Sequence, residues 1–412
     1  MTKLWQQLAI ATNWPVLAAV AVLSTIGVVS VWADEPGDGQ KQLVFLGIAF
    51  AMMLAFQAVN YQIIGRFAWP FYIVSLLLVS YTVLGAAIGG VAPLPLVRRI
   101  NGAYAWIHFG SFSLQPAELM KISFIMVLAR YLRFRSNYRT IFGLLAPFAL
   151  AVVPLALILK QPDLGTAMTF VPVLFIMLFV AGAKLWHLAA VVGMGLAIVP
   201  VLWLAGEHEI KERSTKDGAE HVIGVCTSCP NVPVLRFAPQ FIKHYQRERV
   251  RSMFDNNPRM LRETGLQQHK ALIAFGSGGI GGKGVGNIPA GRRVPERHND
   301  MIFALVGEQF GFFGAAVVLV AYVVLFAAGL EIAAGTREPF GKLVAPGVVA
   351  LLAGQTFLNI MVAMKLMPVT GVTLPFVSYG GSSLLASFMA VGLLLNIGQN
   401  RPMVMARDAF EF

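Results

Sequence analysis

The sequence predicts an all-α polytopic membrane protein with about ten transmembrane helices. Of its 412 residues, 57% are hydrophobic and only 13% are charged, a composition more apolar than a soluble domain needs to form a core. The apolar residues fall into continuous stretches of about 20, the length that crosses a bilayer as a helix. A transmembrane β-barrel would instead show short segments of alternating hydrophobicity, whereas residues 145–159 are apolar without a break.

The predicted spans follow one another through short connections, except for one long polar segment. The first span is long enough to cross the membrane and has no small-residue cleavage site after it, so we expect a helix rather than a removed signal peptide. The eighth span is long enough to be tilted or to begin outside the bilayer. The spans are residues 14–32, 43–59, 67–88, 116–132, 141–159, 166–183, 188–205, 301–330, 344–364 and 382–399.

Lys and Arg residues in the short connections indicate the orientation, because positively charged loops are retained in the cytoplasm. With the N-terminus inside, most of these residues, including the cluster Arg133, Arg135 and Arg139, lie in inner loops. We therefore expect both termini in the cytoplasm. The chain is then one membrane domain, residues 1–412, with a large extracytoplasmic loop, residues 206–299, between helices 7 and 8.

The net charge of +12 does not indicate nucleic-acid binding. The basic residues are divided between cytoplasmic anchors and the outer loop, and the phosphates of membrane lipid are the partner expected for such a distribution.

The large outer loop has two parts. Residues 207–233 are polar and are expected to be irregular, with an insertion at about residues 211–233 that contains Cys226 and Cys229. Outside the cytoplasm these cysteines would form a disulfide or a labile redox pair; a zinc site with nearby histidines is the alternative, although the spacing matches no standard pattern. Residues 237–266 interleave charges with apolar residues, as in an interfacial amphipathic helix or a solvated helix that lies on the protein.

An acidic residue, Asp300, lies at the entrance of the eighth predicted span. An ionisable group near the membrane interior costs about 3 kcal/mol or more, and such groups usually face a protein interior or a wet cavity where they have a function. Asp300 is therefore the first candidate for a catalytic residue.

The glycine-rich run at residues 276–286 precedes this carboxylate. It contains G-x-G-x-x-G, but no predicted strand comes before it, so the dinucleotide-binding interpretation fails. The phosphate-loop pattern also fails, because Ser277 and Gly284 occupy positions where that pattern needs glycine and Ser or Thr. Two alternatives stay open. The backbone of Gly278 and Gly279, with Lys283, could hold a pyrophosphate, or the run could be a re-entrant hairpin packed against helices.

Five further polar or aromatic positions have a structural and a functional interpretation. Glu118 and Lys121 lie on one helix face and can pair, which favours a structural role. Asp163 could cap the sixth helix or line a cavity. Trp106 could anchor the chain at the interface or cover a substrate site. His298 is expected to bond to backbone, although an imidazole stays eligible as a base.

Seven motifs follow one another along nearly the whole chain, at residues 101–107, 115–121, 161–166, 245–250, 276–286, 295–300 and 367–383. In order and spacing they resemble the SEDS family of peptidoglycan glycosyltransferases, and its RodA branch more closely than its FtsW branch. A few positions depart from the family pattern, among them Ala117, Lys270 and Asn299, but none removes the candidate base.

The resemblance implies an enzyme that polymerises lipid II, an undecaprenyl-pyrophosphate-linked disaccharide, on the outer face of the membrane, with a class B penicillin-binding protein as its transpeptidase partner. Asp300 takes the place of the family's catalytic aspartate; a carboxylate partly withdrawn from water has the basicity to accept a hydroxyl proton. The residues expected to contact substrate are Trp106, Arg249, Gly278, Gly279, Lys283, Arg297, His298 and Ser378.

No metal ligands are assigned from the sequence, although a divalent cation is compatible with the motifs. A lipid II flippase and a non-catalytic scaffold for the penicillin-binding protein are the alternative functions. Alternating access places transport sites near the membrane midplane, whereas nearly all the polar motifs here lie in predicted outer loops. This placement favours an outward-facing active site.

Overall fold

The computed structural model describes residues 13–88, 95–98, 103–110, 112–135, 137–204, 210–213, 220–224, 249–253 and 265–400. The chain forms two compact units. One comprises Met1–Ala183 and Leu266–Phe412, and the other comprises Lys184–Gly265. The prediction of one domain with a loop at residues 206–299 stays a prediction.

Helices dominate the described residues, and eight of them are long and apolar enough to cross a membrane. The chain is thus a multi-pass membrane protein, as predicted. In chain order the helices are α1 (Trp14–Asp34), α2 (Pro36–Ala58), α3 (Tyr61–Arg66), α4 (Ala68–Ile88), α5 (Pro116–Phe134), α6 (Leu145–Lys160), α7 (Leu164–Ala181), α8 (Leu185–Leu204), α9 (Leu266–Ser277), α10 (Ile302–Gly335), α11 (Pro339–Ala363) and α12 (Gly381–Gln399).

Each predicted span coincides with one of these helices, but several bounds differ. The second helix begins seven residues before the predicted start at residue 43, because Pro36 is favourable in the first turn and the polar residues Asp38 and Lys41 continue the helix. The fourth predicted span corresponds to α5, which carries Glu118 and Lys121, and the seventh to α8, whose shorter apolar stretch is Leu185–Ile198.

The eighth predicted span, residues 301–330, is not one regular helix. It extends to Gly335 and is interrupted at Gly311, which has φ 65° and ψ −159°. A Cβ at this position would lie 2.3 Å from the backbone nitrogen of Gly282, so the positive φ and the close approach both require glycine. The interruption divides α10 into residues 302–310, which pack beside the glycine-rich run, and residues 312–335.

The centre of the first unit is formed by α11 and α12, which are largely buried. α12 packs against α2, α11 packs against α7, and α10 packs against α1. The fully buried Asn396 of α12 donates from Nδ2 to the carbonyl of Phe56, and its Oδ1 accepts from the backbone of Tyr61. This amide closes the turn between α2 and α3 within the apolar core, where unsatisfied backbone groups are costly.

Two short hairpins, which the sequence did not predict, lie in the connections. Between α4 and α5, β1 (Ile107–Phe109) pairs antiparallel with β2 (Phe112–Leu114). In the second unit, β3 (Ile210–Arg213) pairs antiparallel with β4 (Glu220–Gly224). The expectation that residues 207–233 are irregular is therefore wrong for these strands, whose backbone hydrogen bonds outweigh the polar composition.

Other predictions for the outer loop fall largely outside the described residues. Of the predicted amphipathic helix, residues 249–253 are described and are helical. Cys226 and Cys229 lie outside the described residues. Helix α9, which leads into the glycine-rich run, was not predicted from the sequence.

The close approach of α1 to the connection between α11 and α12 predicts a stability difference between two glycines. A Cβ at Gly27 would lie 2.5 Å from the carbonyl oxygen of Val377, whereas one at Gly47 on α2 would meet nothing within 4 Å. Gly27→Ala should therefore destabilise the protein by about 1–3 kcal/mol through overpacking. Gly47→Ala should be neutral or stabilising, since alanine favours a helix over glycine by about 1 kcal/mol. Thermal unfolding of both variants in detergent checks this; equal midpoints would contradict the packing argument.

Candidate active site

Most of the motifs predicted from the sequence meet at one end of the first unit. The connections that converge there are α1–α2, α4–α5, α6–α7 and α11–α12, together with the segment that leads into α10. Hydrogen bonds between side chains and backbone join these connections, and Asp300 lies among them.

Asp300 immediately precedes Met301, the N-cap residue of α10, and is half-buried. Its backbone carbonyl accepts a hydrogen bond of 2.9 Å from Nδ2 of Asn359, a buried residue of α11. The same Nδ2 donates to the carbonyl of Val372 at 2.7 Å. A Cβ at Gly371 would lie 3.7 Å from Oδ2 of Asp300. The carboxylate therefore lies beside the α11–α12 connection, at a helix N-terminus where negative charge is stabilised.

Ser378, predicted as a substrate contact, is buried in this connection. Its hydroxyl donates to the carbonyl of Asn299 at 2.6 Å and accepts from the backbone of Leu374 at 2.8 Å. Its own carbonyl accepts from Nε2 of Gln42 on α2. Ser378 thus holds the residue before Asp300 in place through its hydroxyl, a role that the sequence motif did not reveal.

Arg297 and His298 face two acidic residues at the end of α1. Arg297 Nε is paired with Asp34, and Nη2 lies 2.9 Å from Oε1 of Glu35. Nε2 of His298 lies 3.2 Å from Oδ2 of Asp34. Neither ring nitrogen of His298 has a hydrogen-bond partner among the described residues, so the expectation that this side chain bonds to backbone is wrong. The backbone carbonyl of His298 accepts from the backbone of Tyr379. Asp34 and Glu35 were not singled out from the sequence.

Lys283 is paired with Glu308, a fully buried residue of α10 that the sequence analysis also missed. The Nζ to Oε1 distance is 2.7 Å, and Oε1 also accepts from the hydroxyl of Ser277. The backbone nitrogens of Ala290 and Gly291 donate to Glu308 at 3.1 and 2.6 Å. The side chain of Lys283 keeps 26% of its surface exposed, so the ammonium has both an internal partner and access to the outside.

The glycine-rich run packs against α10 through its backbone. The nitrogens of Lys283 and Gly284 donate to the carbonyls of Glu308 and Gln309, and the carbonyl of Gly279 accepts from Phe312. A Cβ at Gly278 would lie 1.9 Å from the carbonyl oxygen of Gly307, and Gly279 has a φ of +59°. This arrangement agrees with a hairpin packed against helices. Phosphate binding by Gly278 and Gly279 stays a prediction.

The predicted pairing of Glu118 with Lys121 is present, with an Nζ to Oε1 distance of 2.8 Å and both side chains buried. Asp163 caps α7, because its Oδ1 accepts from the backbone of Thr166, while Oδ2 accepts from Nε2 of Gln115. Burial raises the pKa of Asp163 above its usual value, and the hydrogen bonds from Thr166 oppose the shift. These contacts connect the start of α5 to the start of α7.

Trp106 is half-buried and directly precedes β1. The hairpin is fastened to the start of α12, since the hydroxyl of Ser382 donates to the carbonyl of Ser113 and accepts from the backbone of Gln115. The hairpin therefore joins the same end of the unit as the α11–α12 connection.

Arg249 belongs to the second unit, where its carbonyl accepts from the hydroxyl of Ser252. Its predicted phosphate contact stays a prediction. Among the described residues, no group of three or more His, Cys, Asp or Glu side chains is arranged to hold a metal ion.

The helices define a multi-pass membrane protein. At one end of its bundle lies a polar site with a carboxylate at the entrance of a membrane helix. The backbone of this acidic residue is held by the buried Asn359 amide, and ion pairs lie nearby. The connections that form this site carry the motifs noted in the sequence. The chain belongs to the FtsW, RodA and SpoVE family of cell cycle proteins, whose family model matches residues 4–402. The SEDS resemblance is thereby confirmed.

Relatives of similar length share about a third of its residues. Stage V sporulation protein E of Bacillus subtilis is 32% identical over 395 residues, which cover 92% of this chain and 94% of the relative. A protein of Trichlorobacter lovleyi named probable peptidoglycan glycosyltransferase FtsW is 31% identical over 398 residues, covering 92% and 91% of the two chains.

Solved structures share the fold. A chain from a peptidoglycan synthase complex, described as coordinating polymerization and crosslinking, matches with a TM-score of 0.72 and 28% identity, covering 95% of this chain and 99% of that one. The rod shape determining protein RodA of Thermus thermophilus matches with a TM-score of 0.64 and 26% identity, covering 95% and 97%.

The ion pair between Lys283 and Glu308 predicts a non-additive pair of substitutions. Lys283→Met leaves the fully buried Glu308 without its counter-charge and should destabilise the protein by about 3–5 kcal/mol. The double variant Lys283→Met/Glu308→Gln should recover part of this loss, because an uncharged amide oxygen can still accept from the backbone of Gly291. Thermal unfolding in detergent measures both variants. A double variant less stable than Lys283→Met alone would contradict this account of the ion pair.

Proposed function

We propose that this protein is a peptidoglycan glycosyltransferase that polymerises lipid II into glycan strands with inversion at the anomeric carbon. The observation that carries the proposal is the position of Asp300, at the N-terminus of α10 and beside the backbone of Gly371. Relatives named as peptidoglycan glycosyltransferases over more than nine-tenths of the chain support the same activity.

Asp300 acts as the general base in this proposal. The 4-hydroxyl oxygen of the acceptor sugar forms a bond to the anomeric carbon of the donor while its proton passes to the Asp300 carboxylate. The bond from the anomeric carbon to the phosphate oxygen breaks, and the lipid pyrophosphate leaves with the electron pair. Asn359 and Ser378 hold the backbone carbonyls of Asp300 and Asn299. These bonds fix the carboxylate in position to accept the proton while the hydroxyl oxygen attacks in line with the leaving group.

The negative charge of the leaving pyrophosphate needs donors placed in advance. Lys283, Arg297 and His298 are the cationic or ionisable side chains that serve here, and the motif at residues 245–250 makes Arg249 a further candidate for phosphate contact. Gly278 and Gly279 give the chain a close backbone approach, and Trp106 offers an aromatic surface to the lipid-linked sugar. Ser378 acts through Asn299 instead of touching the substrate.

The alternative functions receive less support from the arrangement of polar groups. Asp300, Asp34, Lys283 and Asp163 lie at ends of helices or in connections, whereas a transport pathway needs polar groups near the membrane midplane. The buried pair of Glu118 and Lys121 lies in the first two turns of α5, close to the same end.

The site is proposed to face outward, with both termini in the cytoplasm. The partner is proposed to be a class B penicillin-binding protein, whose transpeptidase crosslinks the new strands; a solved relative belongs to a synthase complex that coordinates polymerization and crosslinking. By its resemblance to RodA the protein would serve cell elongation and shape.

Asp300→Asn tests the proposed base. The amide has the size of the carboxylate but cannot accept the proton, so polymerisation of lipid II should fall by about 10²-fold or more. Expression and thermal stability should be unchanged, since removing a charge at the entrance of a membrane helix is neutral or favourable. The measurement is glycan-strand formation by the purified protein, with and without its transpeptidase partner.

The matched control is Glu296→Gln, a similar change four residues earlier on an exposed side chain. Its amide oxygen can still accept from Nδ2 of Asn299, as Glu296 does now, so activity should remain near wild type. If Asp300→Asn polymerised lipid II at the wild-type rate, the base would have to be another residue. Loss of lipid transport with polymerisation intact would favour the flippase.

Cysteine labelling tests the orientation. In a background with Cys226 and Cys229 replaced by serine, Asn287→Cys should react with a membrane-impermeant maleimide added to intact spheroplasts, and Asn137→Cys should not. Both positions are exposed on the protein, so the difference reports the side of the membrane. Labelling of Asn137→Cys alone would reverse the topology.

A further inference from the structure

Asp34 is a buried carboxylate that points towards the motif containing Asp300. It is the last residue of α1, and Glu35 alone separates it from α2. Its side chain is 2% exposed. Its Oδ2 is paired with Nε of Arg297 and lies 3.2 Å from Nε2 of His298. Arg292 Nε lies farther away, at 3.9 Å from Oδ1.

This carboxylate fixes the orientation of the Arg297 guanidinium. Nε of Arg297 is paired with Asp34, and Nη2 is paired with Glu35 at 2.9 Å. Two neighbouring carboxylates therefore hold one edge of the planar guanidinium. Nη1 makes a long contact of 3.4 Å with the carbonyl of Arg292. Arg donors lie in a rigid fork, and holding one edge therefore fixes the direction of Nη1.

The same carboxylate faces one nitrogen of His298 and leaves the other nitrogen available. Nδ1 and Nε2 of His298 are both buried and have no hydrogen-bond partner among the described residues, and Nε2 lies 3.2 Å from Oδ2 of Asp34. A buried polar atom without a partner costs about 1–3 kcal/mol, and this cost is relieved when a ligand supplies the partner. A carboxylate on one imidazole nitrogen commonly orients the ring for a ligand on the other.

Three other hydrogen bonds to residues 298–300 involve the backbone, not the side chains of Arg297 and His298. The carbonyls of His298, Asn299 and Asp300 are held by Tyr379, Ser378 and Asn359. All three contacts engage backbone. Asp34 and Glu35 instead engage the side chains of Arg297 and His298.

We propose that Asp34 is a positioning residue of the glycosyltransferase, which orients Arg297 Nη1 and His298 Nδ1 towards the diphosphate-sugar head of the lipid-linked substrate. This inference rests on the proposed function. It adds a carboxylate from the first helix to a site whose other residues come from the second half of the chain and from the α4–α5 and α6–α7 connections.

Binding of lipid II tests the inference apart from catalysis. In the Asp300→Asn protein, which is not expected to turn the substrate over, Asp34→Asn should weaken the binding of fluorescently labelled lipid II in detergent by about tenfold. His298→Gln, which leaves Asp34 paired with Arg297, should weaken it by a comparable factor. The combination Asp34→Asn/His298→Gln should be little weaker than either alone, because both changes remove one arrangement.

Asp38→Asn is the matched control. Asp38 lies four residues after Asp34 and pairs with Lys41 at 2.8 Å, so its substitution should leave binding unchanged. With Asp300 intact, Asp34→Asn should raise the apparent KM for lipid II more than it lowers kcat. A purely structural role would lower thermal stability and leave the binding constant of the folded fraction unchanged.

Two results would overturn the inference. The first is unchanged lipid II binding in His298→Gln, which can be measured even if Asp34→Asn fails to fold. The second is unchanged binding in a folded Asp34→Asn protein. Either result leaves the proposed function standing, whereas full polymerisation activity in Asp300→Asn alone would refute the proposed base and leave the binding measurements valid.

Discussion

The backbone of the α11–α12 connection must find hydrogen-bond partners inside the protein, and the arrangement of the site follows from how it does so. This segment is neither helix nor strand, yet much of it is buried, where unpaired backbone groups are costly. Side chains from three helices supply donors to its carbonyls. Asn359 of α11 donates to Val372, Tyr322 of α10 donates to Pro375, and Gln42 of α2 donates to Ser378. The Asn359 amide also donates to the carbonyl of Asp300. The same side chain therefore supplies a hydrogen bond to the buried connection and holds the residue that carries the carboxylate.

Two cationic side chains near the start of α10 each have an internal carboxylate. Glu308 is paired with Lys283, and Asp34 is paired with Arg297. Both carboxylates are buried, while the cations are partly exposed, so the acid stays fixed and the basic group retains a side that faces outward. An enzyme that must stabilise a leaving pyrophosphate benefits from such donors, because they need little reorganisation when the charge develops.

Hydropathy and spacing predicted the local features of this protein, and failed where a contact joins distant parts of the chain. Continuous apolar stretches located the helices, and the three-residue spacing of Glu118 and Lys121 predicted their pair. Glu308 was missed because one carboxylate in a long apolar run scarcely changes its hydropathy. Asp34 was missed because its partner Arg297 lies 263 positions away, and nothing local in either segment indicates the other. The interruption at Gly311 depends on the approach of Gly282, which is likewise a tertiary contact.

The partners of the Asp300 segment lie later in the chain, and this has a consequence for biosynthesis. Asn359 follows Asp300 by 59 positions, and Ser378 follows Asn299 by 79. A ribosome delivers the N-terminal part first, so the proposed base enters the membrane before the groups that hold it exist. A nascent chain stopped between α10 and α11 would contain Asp300, Lys283, Arg297 and Asp34 but no assembled centre. If Asp300 is the base, polymerisation therefore requires that the final helices have been inserted.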